Sequence, residues 1–371
     1  MTEGSPRRSF WTDVVGTHVL GYTVAALLLG SLVWAAGIWS VLANTRLLKV
    51  FIESGIVRLH DMHLGVADGL PDPEMYLLAI DPVDWYLVGV VIVLYCGFWT
   101  LKAFQFHGIA KAVGMTGSLG DHAKAFFYGS GLNILWPFKL GNAGAVASCV
   151  GHGEEQSKAS TAVYTQELFV LFEIAVFAIL GLVLNGWTTW FGELFWGVVI
   201  LGIAYWVVSP AQDSDTLIPG RAPEGAWKQV MSSLSDRPSV FLRLALLSLL
   251  AFLIDDFTPY LVSQAFTQEW VIMNVSFSVI QMGVVAGYIA RQVPVTPGGI
   301  GQFEWGFAAA LYMGGVGMPE AATIALLESA VRHGTGLMFF TAVVLWKDSK
   351  TEIGEVLPLT LAAAGAEGGE S

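Results

Sequence analysis

Four charged side chains, Lys139, Glu167, Glu304 and Arg332, stand in or beside apolar stretches where a bilayer would make a bare charge costly. Two of them adjoin helix breakers. Lys139 follows Pro137 in Gly131-Leu-Asn-Ile-Leu-Trp-Pro-Phe-Lys-Leu-Gly-Asn-Ala-Gly144, and Glu304 closes Arg291-Gln-Val-Pro-Val-Thr-Pro-Gly-Gly-Ile-Gly-Gln-Phe-Glu304. Proline removes a backbone donor and glycine permits tight turns, so both segments free N–H and C=O groups. At membrane depth such backbone survives only against protein or a water-filled cavity. Freed N–H groups beside an ammonium suit a phosphate, and a carboxylate nearby balances that ammonium or binds an amine. The chemistry indicated is binding, with no covalent step.

Further ionisable residues lie within apolar runs: Glu173, the pair Asp255-Asp256, Glu328 and His333. Glu328 and Arg332 are spaced i,i+4 with the acid first, the order that favours mutual neutralisation on a helix. Asp255 and Asp256 precede Pro259, which reads as the end of a helix, so an interfacial position weighs equally with a cavity. His60-Asp61-Met62-His63 lacks a third well-placed ligand and reads as a solvated helix face rather than a metal site. The chain has no phosphate-binding Gly-Lys-Ser/Thr loop, no Gly-x-Ser-x-Gly elbow and no His-Glu-x-x-His. No cofactor is expected, and pumping driven by ATP is not indicated.

The elements that must position these residues are transmembrane helices. The chain has 371 residues, 54% hydrophobic and 13% charged, about half the charge of a soluble protein. Apolar runs of spanning length cover 19–42, 85–104, 161–184, 191–208, 240–260, 271–289 and 323–346. Two more, 123–150 and 303–315, are interrupted or short and read as broken or re-entrant helices. The expected fold is therefore an all-α polytopic bundle of about seven spans plus two broken helices. Breaks in corresponding places of two halves point to an internal inverted repeat around a transporter-type site.

A single membrane domain then occupies 19–346, between a cytoplasmic flank at 1–18 and an acidic, low-complexity tail at 347–371. Arg7 and Arg8 precede the first span, Lys102, Lys111 and Lys124 follow the second, and Arg221, Lys228 and Arg237 fall in the loop 209–238. The loop 43–84 is rich in Asp and Glu. By the positive-inside rule the former loop is cytoplasmic and the latter outward. Within the outward loop, Leu48, Ile52, Ile56, Leu59 and Met62 recur at helical spacing, as in a helix lying on the membrane surface. A net charge of −12 argues against nucleic acid as a partner. Cys96 and Cys149 provide no disulfide framework.

The stretch Pro294-Val-Thr-Pro-Gly-Gly-Ile-Gly-Gln-Phe-Glu304, followed by Gly317-Met-Pro-Glu320 and a helix carrying Arg332, resembles the carboxy-terminal signature of the lysylphosphatidylglycerol synthase transmembrane-region family, whose members are described as flippase-like. Upstream, Asn133-Ile-Leu-Trp-Pro-Phe-Lys-Leu-Gly141 resembles that family's Asn...Pro-x-Arg-x-Gly element, and Gln166-Glu167 its Glu-Arg. The similarity runs from about Trp85 to Trp346. Lys139 stands where the family usually has arginine, which keeps the charge and loses a bidentate phosphate fork. Gln166, Leu168 and Gln302 replace residues that are often basic or polar. The aminoacyl-transferase domain of fused members is absent, so lysyl transfer to phosphatidylglycerol is not expected.

The resemblance implies movement of a phospholipid, or of a glycan linked to polyprenyl phosphate, between the leaflets of the cell membrane. Asn133, Pro137, Lys139, Gly141, Glu167, Pro297, Gly298, Gly299, Gly301, Glu304 and Arg332 are the residues expected to bind the headgroup. Two alternatives belong to other classes. One is a membrane enzyme on a lipid or polyprenyl-phosphate substrate, with Glu304 or Asp255 as general base; the other is a scaffold for a partner glycosyltransferase.

Overall fold

A computed structural model describes residues 10–35, 84–136, 140–185, 237–265, 275–292 and 296–346. Among these residues there are nine α-helices, one 3-10 turn and no strand. Five helices are long: α1 (Phe10–Ala35), α2 (Trp85–Ala112), α5 (Gln156–Asn185), α6 (Pro238–Gln264) and α9 (Met318–Leu345). At 1.5 Å per residue, their 26 to 30 residues reach about 39–45 Å, more than a bilayer core of about 30 Å. Four are short: α3 (Leu119–Leu135), α4 (Leu140–Gly151), α7 (Phe277–Ala290) and α8 (Gln302–Met313).

The short helices pair in chain order, α3 against α4 and α7 against α8. The first pair matches the interrupted element expected at 123–150. The second departs from expectation, because 271–289 reads as a full span and α7 has only 14 residues. Ser276 starts α7 by accepting the Val279 N–H at 3.4 Å, and beyond Arg291 the chain passes through the 3-10 turn Pro297–Gly299 into α8. Counting apolar residues cannot separate one spanning helix from the first arm of a helical hairpin. The expected span at 191–208, the surface helix at 46–64, residues 43–83 and 209–236 of the two loops and the tail from 347 lie outside the described residues; residues 10–18, expected in the flank before the first span, are instead helical as the start of α1.

α6 shows which solvent the bundle suits. Leu242, Leu246, Leu250, Leu253 and Phe257 form an exposed stripe along it, whereas Ser248, Asp255, Asp256 and Thr258 are buried. A helix on the surface of a water-soluble protein does the opposite. Pro259 lies inside α6 and leaves the Asp255 carbonyl without its helical donor; the Thr258 hydroxyl donates to that carbonyl at 3.1 Å. The helix therefore runs on to Gln264, and the two aspartates sit in its buried middle rather than at its end. Lys102 is likewise inside α2 and 5% exposed, not in the basic flank after it.

Tight helix contacts depend on two glycines of the first hairpin. A Cβ at Gly129 would stand 2.6 Å from the Cβ of Ala145, and one at Gly141 would overlap the Gly129 carbonyl and the Asn133 backbone. Gly141 is thus a packing residue that brings α4 onto α3.

Candidate functional site

The turn of the second break meets the end of α3. In the second break Gly298, Gly299 and Gly301 take φ values of 61°, 73° and 85°, the left-handed region that side chains resist. A Cβ at Gly298 would lie 3.2 Å from the Cα of Ile134 and 3.5 Å from the Asn133 carbonyl. The turn Pro297–Gly299 is therefore seated against the end of α3, just before the first break. α1 covers the other side: a Cβ at Gly301 would lie 2.5 Å from that of Leu28, and the Trp305 indole donates to the Leu28 carbonyl at 2.9 Å. The Tyr22 hydroxyl donates to the Leu135 carbonyl, tying α1 to the first break as well.

From the first break a polar chain crosses three helices. The Asn133 amide donates to Asn142 at 2.8 Å, and the Asn142 amide donates to Glu167 at 3.4 Å. These bonds link α3, α4 and α5. The Asn133 side-chain oxygen is buried with no hydrogen-bond partner among the described residues.

Glu304 belongs to the second break. It is fully buried, accepts the Gly301 N–H at 2.5 Å and accepts the Ser329 hydroxyl. Ser329 in turn contacts the His333 Nδ1 at 2.9 Å. Glu304 thus caps the start of α8 by satisfying an orphan N–H, where a carboxylate is also favoured by the helix dipole. Its expected neighbour Lys139 lies outside the described residues, as does Pro137.

Beside Glu304 is the main buried charge network. The Arg332 guanidinium lies 2.7 Å from the Glu328 carboxylate and 3.1 Å from that of Asp255. Tyr95 donates to Glu328, and Tyr288 donates to Asp255 at 2.5 Å. The guanidinium carbon stands 4.1 Å from the Phe303 ring centroid, with Tyr288 at 5.2 Å and Tyr95 at 5.8 Å. Rings around a buried guanidinium contribute cation–π attraction in place of water. The i,i+4 pairing expected for Glu328 and Arg332 is present; Asp255 adds a second acid from α6.

A separate polar cluster joins α2, α5 and α6. Lys102 pairs with Glu173, which also accepts the Ser248 hydroxyl. Gln166 donates to Gln105 at 3.0 Å, next to Lys102. Sequence reasoning left Tyr95, Lys102, Tyr288, Ser329 and Ser248 out of the site. Only Ser329 carried a local signal, four residues before His333; the rest meet across long sequence separations.

Outside the spanning helices, Glu154 closes the loop between α4 and α5 onto the loop before α3. It accepts the Thr116 N–H at 2.8 Å, the Gly117 N–H and the Thr116 hydroxyl at 3.2 Å, with His122 at 3.9 Å. Burial pushes its carboxyl up, but these donors and His122 together outweigh that and hold it below the usual glutamate value.

Of the candidate residues, Asn133 and Gly141 lie on the first hairpin and Glu167 on α5, joined to it through Asn142, while Pro297, Gly298, Gly299, Gly301 and Glu304 belong to the second break. Arg332 lies behind the second break, over Phe303. Contact between Gly298 and the end of α3 brings the second break against the first hairpin. The arrangement supplies irregular backbone and polar side chains inside an apolar-surfaced bundle, which suits holding a polar group at depth. No curated protein and no solved structure matches the chain. The family described as Lysylphosphatidylglycerol synthase TM region matches residues 69–339, well over half of the sequence, and this membrane protein belongs to that family.

Proposed function

We propose that the protein moves a phospholipid or a polyprenyl-phosphate-linked glycan between bilayer leaflets, without covalent chemistry. The observation that carries this reading is the seating of the Gly298 turn against the end of α3, beside the polar chain from Asn133 to Glu167. Family membership, in a group named for a lipid synthase's membrane region, supports a lipid as the substrate. A phosphate would bind at the first break, where Lys139 supplies charge, while the acyl or prenyl chains stay in the bilayer. Asn133, whose buried side-chain oxygen has no hydrogen-bond partner among the described residues, and Glu167 would orient the rest of the headgroup.

The enzyme reading loses ground because its two candidate bases are engaged: Asp255 with Arg332 and Tyr288, Glu304 with Gly301 and Ser329. The test is anionic-lipid binding and translocation by Lys139 variants at matched expression. Lys139→Ala should lose both, and Lys139→Arg should keep much of both, since the guanidinium forks a phosphate at least as well. An alanine variant that binds and moves lipid like wild type would remove Lys139 from the site.

A further inference from the structure

Asp256 is fully buried in the middle of α6, and neither of its carboxylate oxygens has a hydrogen-bond partner among the described residues. Every other buried carboxylate of the network is held. Asp255 has Arg332 and Tyr288, Glu328 has Arg332 and Tyr95, and Glu304 has a backbone N–H and a hydroxyl. Arg332 engages Asp255 and Glu328, and Asp256 stands next to Asp255 on the same helix. Two acids already engage that guanidinium.

The groups offered to α6 by the helices packed on it explain why Asp256 lacks a counter-charge. α2 brings Tyr95 and Lys102, but Lys102 is paired with Glu173. α5 brings Glu173 itself, α7 brings Tyr288, and α9 brings Glu328 and Arg332. On α6 itself the neighbour is Asp255, another acid. Neither of these two cations is left over for Asp256. An ionised carboxylate buried in this way is removed either by a bound cation or by a proton. A metal ion needs several converging ligands, and no group of three or more His, Cys, Asp or Glu side chains converges to hold one among the described residues. A proton needs one oxygen.

We infer that Asp256 is an exchangeable proton-binding site and that its loading accompanies the transport cycle. The step is simple: the carboxylate takes a proton from a hydronium ion in water admitted to the site, the acid's O–H forming as one hydronium O–H breaks and leaves water, and the acid returns the proton to water, re-forming hydronium, when the site opens to the other side. No other bond changes. One negative charge leaves the network on loading, which strengthens the hold of Arg332 on its two remaining acids; unloading restores the repulsion. This coupling rests on the transport reading above, whereas the proton site does not.

Two measurements separate these claims. Acid-minus-base infrared difference spectra of the purified full chain should contain the carbonyl band of a carboxylic acid that appears on acidification. The band should be missing in Asp256→Asn and return, shifted, in Asp256→Glu. A wild-type spectrum without that band, or a band unchanged in both variants, would overturn the proton site. In proteoliposomes carrying a fluorescent anionic phospholipid, an imposed pH gradient should accelerate wild-type translocation several-fold and leave Asp256→Asn unaffected, with gradient-free exchange retained. Equal acceleration of both would overturn the coupling. Absence of any translocation by wild type, with the infrared band present, would sink the transport reading and leave the proton site standing.

Discussion

Gly298 and Ile134 meet with no side chain between them: a Cβ on the glycine would come within 3.2 Å of the isoleucine Cα. Ile134 belongs to the end of the first hairpin's leading helix and Gly298 to the turn of the second hairpin. The turn of the second hairpin is thereby fastened to the end of the first hairpin's leading helix. The rigidity of this junction depends on glycine, and the charge balance beside it depends on Arg332.

Gly301 and Gly153 separate backbone strain from packing. Both have positive φ, 85° and 89°, but a Cβ at Gly153 meets nothing within 4 Å whereas one at Gly301 reaches Leu28 at 2.5 Å. Gly153→Ala should cost only the left-handed penalty, about 1–2 kcal/mol. Gly301→Ala should add roughly 1–3 kcal/mol of overpacking against α1. Melting temperatures of the purified variants in detergent check this, and equal losses would mean that α1 does not press on the break.

Arg332→Met should be among the most damaging single changes, costing roughly 3–5 kcal/mol, because Asp255 and Glu328 would be left buried without their cation. Combining it with Glu328→Gln should recover part of the loss, since one stranded charge is then gone. Thermal unfolding of the two single variants and the double tests the coupling. Strictly additive losses would show that the pair does not interact.

Glu154 gives a pH dependence of known sign. Its carboxyl is held below the ordinary glutamate value in the folded protein, so between the two values the unfolded chain binds more protons and stability rises with pH. The stabilisation is complete above the ordinary value and is lost as pH falls through the depressed one. Wild type should therefore exceed Glu154→Gln in melting temperature at neutral pH, and the gap should close on acidification. A gap that widens toward acid would reverse the assignment.

Charge asymmetry predicts an orientation, with the basic loop 209–238 inside and the acidic loop 43–84 outside. With Cys96 and Cys149 replaced, Asp68→Cys should react with an impermeant thiol reagent on intact cells and Ser235→Cys should not. Reaction of Ser235→Cys alone would invert the topology.

Much of this architecture was legible in the amino-acid order because its cues are local. Apolar runs gave the long helices, Pro and Gly located both breaks, and i,i+4 spacing paired Glu328 with Arg332. Two local rules misled. Pro259 reads as a helix end, yet the Thr258 hydroxyl serves the carbonyl it frees and α6 continues. The run 271–289 has the length of a span but contains the first arm of a hairpin. Lys102 with Glu173, Tyr288 with Asp255 and Tyr95 with Glu328 had no local signature, since each contact is made between helices remote in sequence.

Lipid movement by the purified protein alone is the central claim, and a reductant assay reads it directly. Proteoliposomes are made with a fluorescent phospholipid in both leaflets, and a membrane-impermeant reductant is added outside. If the protein translocates lipid, fluorescence should fall beyond the outer-leaflet fraction at a rate that scales with protein per vesicle and drops with Lys139→Ala. Quenching that stops at the level of protein-free vesicles, with folded protein incorporated and the native lipid classes tried, would contradict the account and return the chain to the scaffold or enzyme readings.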